Sequence, residues 1–228
     1  RHDLRMLLDD LGLALIVIQH TRGATPKEHS QSFAELLERG SALEPQFINS
    51  HTGRDFFTKR ENLALIKKAQ KLAQKRGITV YHEIHRTRAP FSTSRTLALL
   101  EAMPALKLTA DFSHWCVVHE SFLQDQPEAM AQAIERTYHI HARVGYPEGA
   151  QVPDPRAAEW QPAVDIHVDW WQQVVDARKK EGLALLTIST EFGPPPYLQT
   201  LPYTRQPIAN LWEINLWMRD YLKKTLVV

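Results

Sequence analysis

The sequence predicts an α/β fold of the (β/α) type, a TIM barrel that lacks one or two N-terminal β/α units in this chain. Short apolar segments alternate with amphipathic helical segments six times, which is the pattern of βαβ units in a parallel sheet. Six units are fewer than the eight of a complete barrel of ~250 residues. An open, doubly wound sheet also fits six units, but no glycine-rich phosphate loop follows the first strand. We expect a single domain over residues 1–228.

The strands are short apolar or alternating segments that follow one another at regular spacing. They are predicted at 13–18, 46–51, 79–86, 106–111, 138–143 and 183–190. The segment at 79–86 alternates most clearly, because Val80 and Ile84 face one way while Glu83 and His85 face the other. Such a strand packs one face on helices and leaves the other face for a polar site.

The helices are recognised by apolar residues three or four positions apart and by their caps. They are predicted at 3–11, 25–39, 58–77, 94–103, 127–136, 169–180 and 208–224. Thr25 with Pro26 forms a cap followed by proline at the first helical position, and Thr58 with Glu61 forms a capping box. The connection at 145–162 is long and contains several prolines. We expect it to fold over the barrel mouth as a lid or to join a subunit contact.

Composition excludes several function classes. The 228 residues include 27 basic and 26 acidic side chains, so a net charge of +1 creates no global field for nucleic acid or anionic membranes. No apolar run reaches the ~20 residues of a transmembrane helix. The single cysteine, Cys116, excludes an intrachain disulfide framework and favours a reducing, cytoplasmic location. The chain begins at Arg1 inside a predicted helix, so we expect further N-terminal sequence.

Polar residues recur at the carboxyl ends of five predicted strands, always on the face opposite the apolar one. They are Asn49 and His51, Glu83 and His85, Thr109 and Asp111, His139, His141 and Arg143, and Thr187, Ser189 and Glu191. The carboxyl ends of parallel barrel strands share one rim, where active sites of this architecture lie. We therefore expect four side chains to converge there: Glu83, Asp111, His141 and Glu191.

Three carboxylates and an imidazole in a half-buried mouth repel one another unless a cation is present. Oxygen-rich ligands with one nitrogen suit Mn²⁺, Mg²⁺, Co²⁺ or Zn²⁺, and the sequence does not choose among these metals. Any one of these residues alone is compatible with a solvated side chain. The prediction of one divalent metal rests on their recurrence at the same position of four strands.

The sequence resembles the xylose-isomerase-like barrel superfamily, which contains sugar and sugar-phosphate isomerases and epimerases as well as metal-dependent apurinic endonucleases. An ordered set of motifs carries the resemblance over nearly the whole chain. They are Glu83 in His82-Glu-Ile-His-Arg86, Asp111 and His114 in Asp-Phe-Ser-His, His141 in His139-Ile-His-Ala-Arg143, and Glu191 in Thr190-Glu-Phe-Gly193. The set is fairly specific for the superfamily and is not specific for a substrate.

The resemblance implies a metal-dependent sugar or sugar-phosphate isomerase or epimerase. It implies that the metal is bound by Glu83, Asp111, His141 and Glu191, and that Glu83 and Glu191 are also the acid/base pair. Such a reaction removes a proton from a carbon next to a carbonyl, and a metal stabilises the resulting enediolate. The expected ligand is a small sugar, and homo-oligomer formation is left open. Candidate substrate contacts are His51, His85, Arg86, His114 and Arg143.

Two alternatives remain open at this stage. Apurinic endonucleases are similar at the same ligand positions but carry a further Asp-x-His that completes a three-metal site. This chain has Asp154-Pro-Arg156 at that place, and its near-neutral charge disfavours DNA. The other alternative is a catalytically silent barrel that binds a metal or a sugar, although both glutamates are present.

Overall fold

The computed structural model of the protein describes residues 2–227. Six strands form one parallel sheet in sequential order, β1 to β6, as the sequence predicts. The strands are β1 (Ile16–His20), β2 (Phe47–His51), β3 (Val80–Glu83), β4 (Leu108–Ala110), β5 (Thr137–Ala142) and β6 (Thr187–Thr190). Within residues 2–227, the outer edges of β1 and β6 pair with no further strand, so the sheet is an incomplete barrel wall.

Helices alternate with the strands and cover the outside of the sheet. They are α1 (His2–Asp10), α2 (Pro26–Ser41), α3 (Lys59–Lys75), α4 (Thr93–Ala102), α5 (Ser113–His119), α6 (Pro127–Glu135), α7 (Gln161–Glu181) and α8 (Leu211–Thr225), with a short 3₁₀ turn at Ala158–Trp160. Both predicted caps are present. The side chains of Thr25 and Thr58 accept hydrogen bonds from the backbone N–H groups of Glu28 and Glu61. The side chains of these glutamates in turn accept hydrogen bonds from the backbone N–H groups of the two threonines. Among the described helices, none has the length and apolar composition to cross a membrane.

Two helical predictions were wrong. The segment after β4 forms α5, where the sequence predicts no helix, because about two turns of helix are too short to show a period. Helix α7 begins at Gln161 and not at 169, because Pro162 lies in its first turn, where proline's fixed φ and missing N–H are tolerated. Its buried residues start with Ala163 and continue through His167 and Trp171. The sequence-based prediction places the proline at the end of a loop.

The sheet is curled, which brings side chains of non-adjacent strands together. The Phe47 ring of β2 lies 4.5 Å from the Tyr81 ring of β3 and 5.1 Å from the His139 ring of β5, measured between centroids. These rings fill the inside of the curl below the strand ends. The main apolar core lies on the outer face, between the sheet and α4 to α8. A filled inner layer supports the polar residues one step further along each strand.

The segment between β5 and α7 is held to the rest of the fold. Val152 donates from its backbone to Val144 at 2.9 Å, and the Gln151 amide exchanges two hydrogen bonds with the backbone of Gly193, which follows β6. Gly145 packs against α5, where a Cβ atom would lie 2.7 Å from the Ser113 Cα. The first half of this connection is therefore buried structure at the barrel mouth. Its action as a lid or subunit contact stays a prediction.

Candidate active site

The structure brings together the four side chains that were expected to converge. Glu83 ends β3, His141 lies in β5, and Asp111 and Glu191 directly follow β4 and β6. One possible ligand atom from each residue lies within 4.8 Å of all the others. The first three are buried, whereas the Glu191 side chain is 31% exposed. The cluster therefore opens to solvent on the Glu191 side.

On one side of the cluster, histidines surround the Glu83 carboxylate. Nε2 of His51 lies 2.7 Å from Oε2 of Glu83, and Nδ1 of His141 lies 3.5 Å from the same oxygen. The Asn49 amide also donates to it. Burial raises the pKa of the Glu83 carboxyl, but His141 and His51 outweigh burial and hold that pKa well below its usual value. Glu83 is therefore an ionised carboxylate inside the protein.

The pKa of the His141 imidazole is shifted upward, whereas that of the Glu83 carboxyl is shifted downward. Burial lowers the pKa of its imidazole, but the carboxylates of Glu83 and Glu191 raise the pKa well above the ordinary histidine value. Nδ1 lies 2.7 Å from Glu191 Oε2 without the alignment of a hydrogen bond. This nitrogen therefore points into the space shared by the carboxylates.

On the other side of the cluster, the Arg143 guanidinium lies beside Asp111 and Glu191, and Nε2 of His114 lies 3.5 Å from Oδ2 of Asp111. The Nη2 atom of Arg143 donates to Oδ2 of Asp111, lies 3.3 Å from Oε2 of Glu191 and lies 3.1 Å from Nε2 of His114. The Ser113 hydroxyl donates to the other Asp111 oxygen. Burial lowers the pKa of Arg143, but Asp111 and Glu191 more than compensate and raise it. Burial and then Arg143 hold the pKa of His114 well below its usual value.

A row of imidazole rings lines the mouth next to the cluster. The ring centroids of His20 and His51 are 4.0 Å apart, those of His51 and His85 4.8 Å, and those of His85 and His114 3.9 Å. Burial, followed by His51, lowers the pKa of His20 to about 4. Burial, followed by His114 and His51, lowers the pKa of His85 to about 2. His20 and His85 are therefore neutral near pH 7 and can donate or accept hydrogen bonds with hydroxyl groups.

Two residues of the site are not among the site residues predicted from the sequence. Asn49 lies on the same strand face as His51, so the alternation that selected His51 already pointed to it. Tyr197 lies in the irregular segment between β6 and α8, where no periodicity is available. Its ring centroid lies 4.4 Å from the Arg143 guanidinium carbon and 5.0 Å from that of Arg86, and its hydroxyl is 3.5 Å from Nε2 of His85.

The donor set fits a divalent metal. Oε1 of Glu83 is buried and has no hydrogen-bond partner among the described residues, which is the state expected of an atom that binds a ligand. Three carboxylates and one imidazole suit Zn²⁺, Mn²⁺, Co²⁺ or Mg²⁺. His51, Glu83 and His85 also present ligand atoms within 4.8 Å of one another. Glu83 is thus shared between two groups of potential ligands.

Cys116 is not part of this chemistry. The thiol is fully buried in α5, and its sulfur lies 3.8 Å from Nε2 of His167. Burial, followed by the Asp111 charge, raises the pKa of Cys116 to about 12. The thiol is therefore protonated and shielded, which does not suit a nucleophile.

No family model matches the sequence, and no curated protein matches it. Solved structures do match its fold. The chain is similar to the IOLI protein with a binding zinc atom (TM-score 0.62, 14% identity, 100% of this chain and 84% of that chain). It is also similar to a xylose isomerase-like TIM barrel protein from Mycobacterium smegmatis in complex with magnesium (TM-score 0.61, 11% identity, 99% and 78%). A third match is the D-allulose 3-epimerase from Methylomonas sp. in complex with D-allulose (TM-score 0.61, 14% identity, 97% and 80%). The chain therefore has the fold of the xylose isomerase-like TIM barrels, as its motifs indicated.

Proposed function

We propose that the protein is a divalent-metal-dependent isomerase or epimerase of sugars or sugar phosphates. The observation that carries the proposal is the convergence of four ligand atoms from four successive strands within 4.8 Å. The fold likeness to a D-allulose 3-epimerase in complex with D-allulose, and to barrels with zinc or magnesium, supports it. The metal would be held by Glu83, Asp111, His141 and Glu191. When bound, it would polarise the substrate carbonyl and the neighbouring hydroxyl.

Two carboxylates are placed to move the substrate proton. Glu83 is ionised, because the neighbouring imidazoles lower its pKa, and an ionised carboxylate is ready to accept a proton from a carbon next to a carbonyl. Glu191 reaches the same cluster from β6 and is partly exposed, so it meets the substrate from the open side. A proton taken by one glutamate and returned by the other on the opposite face of the carbon inverts its configuration.

The proposed substrate contacts surround these glutamates. His51, His85 and His114 form the ring row that offers nitrogen atoms to sugar hydroxyls. Arg86 and Arg143 flank the Tyr197 ring, and guanidinium groups favour an anionic substituent such as phosphate. Tyr197 would cover the substrate from the segment after β6.

The region assigned to a third nuclease metal is occupied by an internal ion pair. Nε and Nη2 of Arg156 lie 2.9 Å and 2.7 Å from the two carboxylate oxygens of Asp154, and Arg156 is also 3.6 Å from Glu213 of α8. A bidentate arginine uses the oxygen atoms that a metal would need. These contacts favour the isomerase over the apurinic endonuclease.

The proposal is tested by metal analysis and by proton exchange. We expect the purified protein to contain one divalent metal, and to exchange a substrate proton with deuterated solvent for at least one ketose or ketose phosphate in a panel. Glu191→Gln should abolish exchange. Metal binding without exchange for any sugar would indicate a silent barrel, and cleavage of DNA with an abasic site would indicate the nuclease. Cytoplasmic location and homo-oligomer formation stay predictions, and light scattering will test the second.

A further inference from the structure

Arg143 lies where two of the proposed metal ligands meet. Its Nη2 atom contacts Oδ2 of Asp111 and is 3.3 Å from Oε2 of Glu191. The Arg143 and Asp111 side chains are buried, so the guanidinium balances these carboxylates inside the protein and not through solvent. Among the described residues, no other arginine or lysine contacts the four proposed ligands within ion-pair distance.

A guanidinium and a divalent metal compete for the same atoms. Arginine donates along the lone pairs of carboxylate oxygens, and a metal coordinates through those lone pairs. Two positive groups a few ångströms apart in a poorly solvated site also repel each other strongly. A metal held by Asp111 and Glu191 therefore replaces contacts that Arg143 makes in this structure.

The Glu83 side of the cluster presents no such conflict. The contacts on that side come from His51 and His141, whose ring nitrogens are themselves common metal ligands. Arginine stays charged under all ordinary conditions and must move instead. The Tyr197 ring offers Arg143 a cation–π contact as an alternative to the carboxylates, because the guanidinium carbon of Arg143 is already 4.4 Å from the ring centroid.

We propose that Arg143 is an internal counterion that competes with the divalent metal for Asp111 and Glu191 and thereby limits metal affinity. The inference rests on the proposed function, because it assigns the control of metal loading at that same site. It also accounts for how the Asp111 and Glu191 carboxylates are accommodated side by side when no metal is bound.

The test is calorimetric titration of metal-free protein with Mn²⁺ and, separately, with Zn²⁺. Arg143→Met should bind the metal about tenfold to a hundredfold more tightly than the unaltered protein, which is the range over which neighbours tune metal sites. Arg143→Lys keeps the charge but carries it on a shorter side chain, so its contacts with Asp111 and Glu191 should weaken and its metal affinity should be intermediate. The matched control is Arg86→Met, which removes the other guanidinium beside Tyr197 and should change affinity by less than about twofold.

An Arg143→Met affinity that equals or falls below that of the unaltered protein would overturn the inference while leaving the proposed function intact. If neither protein binds Mn²⁺ or Zn²⁺, the metal-dependent function itself fails. If Arg143→Met does not fold without metal, thermal unfolding of Arg143→Lys decides. Metal should raise its melting temperature more than that of the unaltered protein, and equal increments would contradict the competition.

Discussion

The two sides of the candidate site balance negative charge with different chemistry. Glu83 is surrounded by the imidazoles of His51 and His141. Asp111 and Glu191 share the guanidinium of Arg143, although Nδ1 of His141 also lies 2.7 Å from Glu191. An imidazole ring nitrogen is itself a common metal ligand, whereas a guanidinium stays charged under all ordinary conditions and can only move away from a metal. The two sides therefore differ in that only the Asp111 side carries a permanent positive charge.

The largest expected effect concerns the proton-transfer role of Glu83. Glu83→Gln keeps the size of the side chain but removes the base, so we expect proton exchange with the best substrate to fall by about 10²–10⁴-fold. The measurement is deuterium incorporation by NMR. Glu148→Gln, at an exposed position of the segment after β5, is the matched control and should leave the rate unchanged. A Glu83→Gln variant with more than half the normal rate would remove Glu83 from the acid/base pair.

The second prediction compares the two sides by their effect on stability. Asp111→Asn leaves the buried Arg143 charge poorly balanced, so we expect the free energy of unfolding to fall by about 3 kcal/mol. His51→Gln removes one imidazole beside Glu83 but leaves the His141 ring and the Asn49 amide in place, so it should cost only about 1 kcal/mol. Urea unfolding in the presence of a chelator measures both. Equal losses would show that the two sides do not differ in the way their charges are balanced.

The last effect comes from a histidine outside the site, which sets the background for any pH study. Nε2 of His167 accepts from the Gly145 backbone at 3.2 Å, and Nδ1 lies 2.9 Å from the Ala163 oxygen. Burial lowers its pKa from 6.5 to about 4. Between pH 6.5 and pH 4, His167 is therefore protonated in the unfolded chain but not in the folded protein. The free energy of unfolding consequently falls as the pH decreases from 6.5 towards 4. The loss is on the order of 3 kcal/mol.

His167→Gln isolates this contribution, because glutamine can still accept from Gly145 but does not titrate. We expect urea unfolding at a series of pH values between 7 and 4 to show a shallower fall in stability for the variant, by about one bound proton at pH 5. Identical slopes would mean that His167 is protonated in the folded protein. The pH dependence of the imidazole side of the site is then measured in the His167→Gln background.

The strand order and the converging residues could be predicted because both depend on alternation along the backbone. Each of the four residues lies at or within one residue of the carboxyl end of its strand, and the parallel sheet brings those ends to one rim; they are Glu83, Asp111, His141 and Glu191. The contacts of the Arg143 side chain with Asp111 and Glu191 could not be predicted. A long side chain reaches several partners from one backbone position, and the sequence specifies the position but not the direction.

Irregular backbone limited the prediction elsewhere. Tyr197 reaches the site from a segment without periodicity, and its contact with Arg143 depends on the path of that segment. Helix α5 was missed because seven residues give too little pattern to identify a helix. Both failures have the same physical origin, since hydrophobic periodicity reports which face of a regular element is buried and carries no information about turns.

The close approach of Gly145 to Ser113 restricts how this chain can change during evolution. A side chain at position 145 would meet the Ser113 backbone at 2.7 Å and displace the residue whose hydroxyl donates to Asp111. The residue type at position 145 is therefore restricted to glycine by the proposed metal ligand Asp111, which lies 34 residues earlier in the chain (145 minus 111). Gly145 itself is not a proposed ligand. Relatives that keep aspartate and serine at positions 111 and 113 should keep glycine here, and a relative that has lost the glycine should also have rebuilt the start of α5.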